Sequence, residues 1–203
     1  MRLRERTDAL HRVAERSGFM ASLLRGRASR DGYALFLRNL LPAYRALESG
    51  LEGGRDDPRL APLALPALYR CAAIEQDLVT LLGAEAAWPA LLSTGMAYGD
   101  QVARATGTRL IAHAYVRYMG DLSGGQILRR ILARTPGLEG TALAFHEYPS
   151  IVDSKQYRDA YRDIIDRTAL RPEEEDAVLN EACTAFEYNI QLSHQLTAIM
   201  TPA

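Results

Sequence analysis

The 203 residues are 48% apolar, and Lys+Arg nearly balance Asp+Glu to a formal charge of −1. That supports one core-forming domain over 1–203 and gives no global electrostatic case for nucleic acid. Cys71 and Cys183 stand far apart with no Cys-x-x-Cys, which excludes a disulfide framework and a cysteine metal site and fits a reducing cytoplasm.

Helical periodicity dominates from the start, and strand alternation is scarce. The opening Met-Arg-Leu-Arg-Glu-Arg has no apolar run, so it is not a signal peptide, and no stretch approaches the roughly 18 apolar residues of a membrane span. Residues 2–16 read as a first helix with Leu3, Leu10 and Ala14 inward. Ser17-Gly18 interrupts, and Phe19 to Leu24 forms a short second helix. Eight arginines in residues 1–30 face only Glu5, Asp8 and Glu15; such an end suits an anionic ligand or acidic partner, or a solvated face. Ser29 to Gly50 is a long helix with a stripe of Tyr33, Leu37, Leu40, Tyr44 and Leu47. Gly53 to Pro58 is a loop, and Pro62 and Pro66 confine the next segment to short turns. A helix over 67–82 is closed by Gly83, a suitable C-cap. Trp88-Pro89 is another turn, and 94–106 is helical with Gly107 closing it. A helix over 108–134 stops at Pro136-Gly137, 135–149 reads as an exposed connection, and 150–169 returns to helix. Pro172 followed by Glu173, Glu174, Glu175 and Asp176 is a strong helix start, since proline is tolerated in the first turn and acids favour the positive end of the helix dipole. Val178, Ala182, Ala185, Asn189, Leu192, Leu196 and Ile199 form its stripe. The expected fold class is all-α.

One stretch breaks the local rules. Gly120, Gly124 and Gly125 fall inside the 108–134 helix, and each costs a helix about 1 kcal/mol relative to alanine. They lie near one helical face, which leaves bare backbone for something flat or large, or for close packing of another helix. A phosphate loop is excluded, because no Gly-x-x-x-x-Gly-Lys-Ser/Thr is present and no strand pattern precedes. Asp121 beside that face, with Arg117 and Tyr115 one turn earlier, suggests a polar network next to a ligand.

The histidines are His11, His113, His146 and His194. None forms His-x-x-x-His, and no Glu-x-x-His occurs, which argues against a zinc hydrolase and a di-iron bundle. A lone histidine could hold a haem axially or be an ordinary surface or core residue. Arg158 and Arg162 share a helix face, either as a solvated stripe or as partners for buried carboxylates. Met20, Phe36, Met119 and Phe186 are core residues or contacts of a flat ligand, and Asn189 in an apolar stripe is a satisfied buried amide.

His-Ala-Tyr-Val-Arg-Tyr-Met-Gly-Asp-Leu-Ser-Gly-Gly-Gln at 113–126 resembles the signature of the haem oxygenases. The likeness extends through Leu-His-Arg-Val-Ala-Glu-Arg-Ser-Gly-Phe-Met at 10–20, Arg-Asp-Gly-Tyr at 30–33, Tyr-Arg-Ala-Leu-Glu at 44–48 and Glu-Gln-Asp-Leu at 75–78. It continues with Tyr-Arg at 161–162 and Thr-Ala-Phe-Glu-Tyr-Asn-Ile-Gln-Leu at 184–192, covering nearly the whole chain.

The resemblance implies a helical bundle with haem b between a proximal helix and a distal helix that bends at its glycines. It implies oxidative cleavage of haem, as substrate and cofactor, to biliverdin, ferrous iron and carbon monoxide with O2 and electrons from an external reductase, ferredoxin or flavodoxin. His11 would be the axial ligand of the haem iron, with Glu15 accepting from its other ring nitrogen; His113 matches a family histidine that is not the ligand. Gly120, Ser123, Gly124 and Gly125 would lie over the distal face. Asp121 would organise water there, with Tyr44 and Arg117 extending its network. Arg158, Arg162 and Tyr115 would grip the propionates, Arg4 would add a charge, and Phe186 would contact the macrocycle. Asp8 departs from the lysine the family often has. The basic pair implies opening at the α-meso carbon. The end at Thr201-Pro202-Ala203, without the apolar anchor of some eukaryotic members, suggests a soluble, bacterial-type enzyme of the cytoplasm. The other readings are a haem sensor or carrier without turnover, and an unrelated activity such as a thiaminase-like hydrolase.

Overall fold

The computed structural model describes residues 3–200; Met1, Arg2 and the terminal 201–203 lie outside them. The described residues are helices and turns, with no strand among them. Helix α1 (Leu3–Arg16) buries Leu3 and Thr7, and the Thr7 hydroxyl donates to Leu3 O at 2.8 Å. Helix α2 (Gly18–Leu24) follows after one residue, because Gly18 takes φ +44°, which a side chain rarely tolerates. A Cβ there would sit 2.4 Å from Ser193 O, so the glycine also lets α2 press on α9 (Pro172–Met200). Ser193 fastens the same junction, accepting from Met20 N at 2.9 Å and donating to Ser17 O at 2.7 Å.

Helix α3 (Arg30–Gly53) runs through the core and buries the whole expected stripe. Ser29 caps it, accepting from Gly32 N at 3.1 Å. Pro42 sits inside it, and α5 (Ser93–Arg104) packs across this region through Gly99, whose Cβ would meet Pro42 Cβ at 2.6 Å. Asn39 of α3 is fully buried but satisfied, donating to Leu35 O and accepting from Leu92 N, both at 2.8 Å.

Helix α4 (Cys71–Leu82) starts later than the pattern from residue 67 suggests, because Pro66–Leu68 winds as a 3₁₀ turn. Gly83 closes it at φ +94°, as expected of a C-cap. Helix α8 (Ser154–Arg167) is likewise shorter than 150–169, set by Asp153, whose carboxylate accepts from Lys155 N and Gln156 N at 2.9 Å. Helix α9 begins at the proline and the acidic run. Its apolar stripe is inward through Leu196, Asn189 is half-buried at the cleft rather than buried as expected, and Ile199 is exposed.

The largest departure is at 135–149. The segment is an exposed connection only in part: Pro136, Gly137, Glu139, Gly140 and Thr141 are exposed, but Thr135, Leu138, Ala142, Phe145, His146 and Tyr148 are buried. Asp77 of α4 holds it, accepting from Ala144 N at 3.0 Å and Phe145 N at 2.8 Å. Hydrogen bonds to its backbone from other elements replace the helical pattern that periodicity looks for.

The 110–132 region is helical throughout, as α6 (Leu110–Ala114), two π turns (Tyr115–Met119 and Asp121–Gly125) and α7 (Gln126–Leu132). Gly120 and Gly125 keep ordinary right-handed angles, φ −63° and −57°. The glycines thus act by lacking side chains, and the departure from α geometry is a widened turn, a feature frequent at functional sites.

Candidate functional site

A cleft of about 470 Å³ opens between α1 and the π-helical segment and is walled by α2, α3, α8 and α9. Its size is that of an ordinary small-molecule site. From α1 come Arg4, Thr7, Asp8, His11, Ala14 and Glu15, which share a face at spacings of three and four. From the facing segment come Tyr115 to Gly125. Cβ atoms built on Gly120 and Gly124 would meet nothing within 4 Å, so both backbones border open space.

His11 is solvent-accessible, with a side chain 53% exposed, and its ring stands edge-on to Phe186 at 5.9 Å between centroids. Its Nε2 lies 3.8 Å from Glu15 Oε1, close enough for electrostatic attraction but too long for a hydrogen bond. Asp8 is paired with Arg12.

Three guanidinium groups gather at one side. Tyr115 faces Thr7, Arg162 and Arg4; burial raises its phenol pKa, while a hydrogen bond with Thr7 and the two arginines restrain the rise. Arg158 and Arg162 both reach Asp159 Oδ1, at 3.0 and 3.1 Å, and remain part of the cleft lining. One exposed carboxylate thus lies between two cations, leaving local positive charge for an anion.

On the other side, Tyr44 donates to Asp121 Oδ2 at 2.7 Å. Burial pushes the Asp121 carboxyl up to about 6, and nearby Arg117 and the Tyr44 hydrogen bond hold it from rising further. Arg117 donates from Nη2 to Asn189 Oδ1 at 2.7 Å, and its guanidinium lies over the rings of Tyr98 and Tyr44 at 5.7 and 5.9 Å. Asn189 in turn donates to Ala185 O at 2.6 Å. The site therefore has a titratable carboxyl set in a polar network beside bare backbone, facing a free imidazole across a cleft with a basic rim.

The haem oxygenase family model matches residues 1–195. The chain belongs to the haem oxygenase family. Members of this family are enzymes that degrade haem to biliverdin. Haem oxygenase 1 of rat is 38% identical over 208 residues, covering 98% of this chain and 71% of the relative. Haem oxygenase 1 of the cyanobacterium Synechocystis is 33% identical over 198 residues, covering 96% and 82%. The crystal structure of that cyanobacterial enzyme in complex with haem superposes with a TM-score of 0.90 at 32% identity, covering 97% of this chain and 91% of that one. The haem oxygenase of Leptospira interrogans gives 0.88 at 31%, covering 96% and 97%.

The structure brings together nearly every position the haem oxygenase resemblance pointed to. Arg4, His11, Glu15, Tyr115, Arg117, Gly120, Asp121, Ser123, Gly124, Gly125, Arg158, Arg162 and Phe186 line one cleft, as do Met20, Phe36 and Met119. Tyr44 is fully buried and hydrogen-bonded to Asp121, in the place the resemblance implied for it. Glu15 is a correction, since no hydrogen bond joins it to the imidazole. Sequence reasoning passed over Thr7, Leu40, Leu128, Phe145 and His146, which also line the cleft. Thr7 lies one turn before His11, so helical spacing could have found it. For His146 the available signal was the apolar content of Leu143, Phe145 and Tyr148, too high for an exposed loop. Among the described residues no cluster of His, Cys, Asp and Glu could hold a bare metal ion, and no helix is long and apolar enough to cross a membrane.

Proposed function

We propose that residues 1–203 act as one haem-binding catalytic domain that opens haem b at the α-meso carbon, releasing biliverdin, ferrous iron and carbon monoxide. The observation that carries the reading is the arrangement of His11 and Asp121 on the two sides of one cleft with a cationic rim. The residues present fit the group. Gly120 and Gly124 border space that side chains would fill, and the basic rim suits two carboxylates. The imidazole is held by no strong partner.

Bound haem supplies the iron at which O2 and electrons react. The chain's own groups bind, orient and handle protons. His11 would hold the iron from the α1 side, and Glu15 would bias its ring electrostatically. Arg4, Arg158, Arg162 and Tyr115 receive the propionates and set which edge faces Asp121. Gly120, Ser123, Gly124 and Gly125 admit a flat macrocycle close to backbone, and Phe186 packs against it. Asp121, titrating near 6, exchanges protons with cleft water at working pH, while Tyr44 and Arg117 keep its ionised form accessible. The electrons come from a ferredoxin, flavodoxin or reductase in the cytoplasm.

The test is to add haem, a reductase and NADPH, and to look for a green bilin. His11→Ala should keep haem in the apolar cleft but lose turnover, and added imidazole should restore part of it. Full turnover in His11→Ala without imidazole would remove His11 from this role. A stable haem complex without a bilin in the unmodified protein would favour a carrier.

A further inference from the structure

Arg158 and Arg162 line the cleft, but Asp159, between them in sequence, does not. Its carboxylate is nevertheless the group that holds them. Asp159 Oδ1 accepts from Arg158 Nε at 3.2 Å, from Arg158 Nη2 at 3.0 Å and from Arg162 Nη1 at 3.1 Å. The arrangement follows from the helix. Residues 158 and 162 are one turn apart and share a face of α8, while 159 stands about 100° round the axis, on the flank of that face. Rotamer changes alone can carry the two long side chains between Asp159 and the cleft.

The pairing is an imperfect one. A single oxygen serves two guanidinium groups, and the three bonds leave most of their donors unused. A guanidinium with a carboxylate of its own can form two parallel bonds, a stronger arrangement. The Asp159 side chain is 47% exposed, and those of Arg158 and Arg162 are 24% and 37% exposed. Pairs this open to water hold their partners weakly. Hydrogen bonding to Arg158, with Arg162 and Lys155 close by, keeps the Asp159 carboxyl below the usual carboxylate range, so it is charged at working pH. An anion arriving at the two arginines therefore meets a negative charge already in place.

We propose that Asp159 is a resident counter-ion that competes with the propionates: it occupies Arg158 and Arg162 in the haem-free chain, and haem binds at this rim by exchange, its carboxylates replacing the protein's own. The inference rests on the haem reading of the site. Competition outweighs any help Asp159 gives in holding the arginines ready. A propionate on either guanidinium would lie close to an ionised carboxylate of the same sign, whereas the order gained from a part-exposed pair is small. A ligand without carboxylates leaves the pair undisturbed. Run in reverse, the exchange helps a product that keeps both carboxylates to leave.

The test titrates haem, haem dimethyl ester and biliverdin into the full chain and into Asp159→Asn and Asp159→Ala, followed by absorbance. Both variants should bind haem and biliverdin about three- to tenfold more tightly at low salt, as the loss of one or two exposed ion pairs predicts. The gain should vanish at about 1 M salt, where screening acts within about 3 Å. The dimethyl ester should gain nothing. Unchanged or weaker haem binding in the variants would overturn the proposal. So would an equal gain for the ester, which would mark a change of structure rather than of charge. The exchange can also be read without haem. In the haem-free chain, NMR of the arginine side-chain nitrogens should show glutarate, a short dicarboxylate, shifting the Arg158 and Arg162 resonances, and at lower concentration in Asp159→Ala than in the unmodified protein. Equal concentrations would refute the exchange. Glutarate exchange in a chain that takes up no haem would sink the haem reading and leave the role of Asp159 standing.

Discussion

Tyr44→Phe removes one oxygen and little else. The ring is fully buried, and its edge-on contact with Phe145, 5.5 Å between centroids, survives in phenylalanine. What is lost is the 2.7 Å hydrogen bond to Asp121 Oδ2. A hydrogen bond to a charged group contributes about 1.5–3 kcal/mol, and one pH unit corresponds to about 1.4 kcal/mol. The bond favours ionised Asp121 over protonated Asp121. Its removal should therefore raise the carboxyl by about one to two pH units, starting from about 6. Stability is linked to the same proton. A carboxyl raised from 3.8 to about 6 on folding binds more protons folded than unfolded, so its contribution is largest below pH 4 and lost as pH rises through 6. In Tyr44→Phe that loss should continue above pH 7. Carbon-13 NMR of the Asp121 carboxyl reads the midpoint directly, and urea unfolding across pH 4 to 8 reads the linked stability. The pH profile of biliverdin formation should move with the same midpoint. An Asp121 midpoint unchanged in Tyr44→Phe would refute the reasoning, because the phenol that donates to that carboxyl would then have no hold on it.

Replacing Arg158 and Arg162 together with glutamine should weaken haem binding by less than about thirtyfold, since partly exposed ion pairs contribute about 0–1 kcal/mol each. The product, however, should become a mixture of biliverdin isomers on chromatography; a single unchanged isomer would show that other contacts orient the haem. Gly124→Leu should raise or preserve the thermal midpoint, because leucine is the better helix former by up to about 1 kcal/mol and its Cβ enters open space. The same change should cut haem affinity measured by Soret titration, and equal affinity would place the haem elsewhere. His146 is held neutral on folding, down to about 3, by burial first and then by Arg70 and Arg129. Its contribution is therefore present above pH 6.5 and lost as pH falls toward 3, by up to about 5 kcal/mol, and His146→Phe should flatten the stability curve in that window.

Local sequence is enough to specify the helices and the chemistry along them. Apolar stripes at spacings of three and four placed α3 and α9, and Ser29, Gly83 and Pro172 marked ends that hold because capping is local. The motif around Asp121, with His11 and the arginines of α8, was legible as residue types in order. It was readable because each element contributes side chains at helical repeats, which a one-dimensional pattern preserves. How these groups meet depends on packing. Only the folded chain shows the direct hydrogen bond from Tyr44 to Asp121, and that Arg158 and Arg162 share Asp159. The 135–149 segment shows the limit most clearly. Beside local turn hydrogen bonds, its backbone is held by Asp77 of α4, Gln126 of α7 and Arg70, residues 20 to 77 positions away. No local period records hydrogen bonds of that reach, so the partial burial of the segment, and the place of His146 beside Gly125, are properties of the tertiary structure.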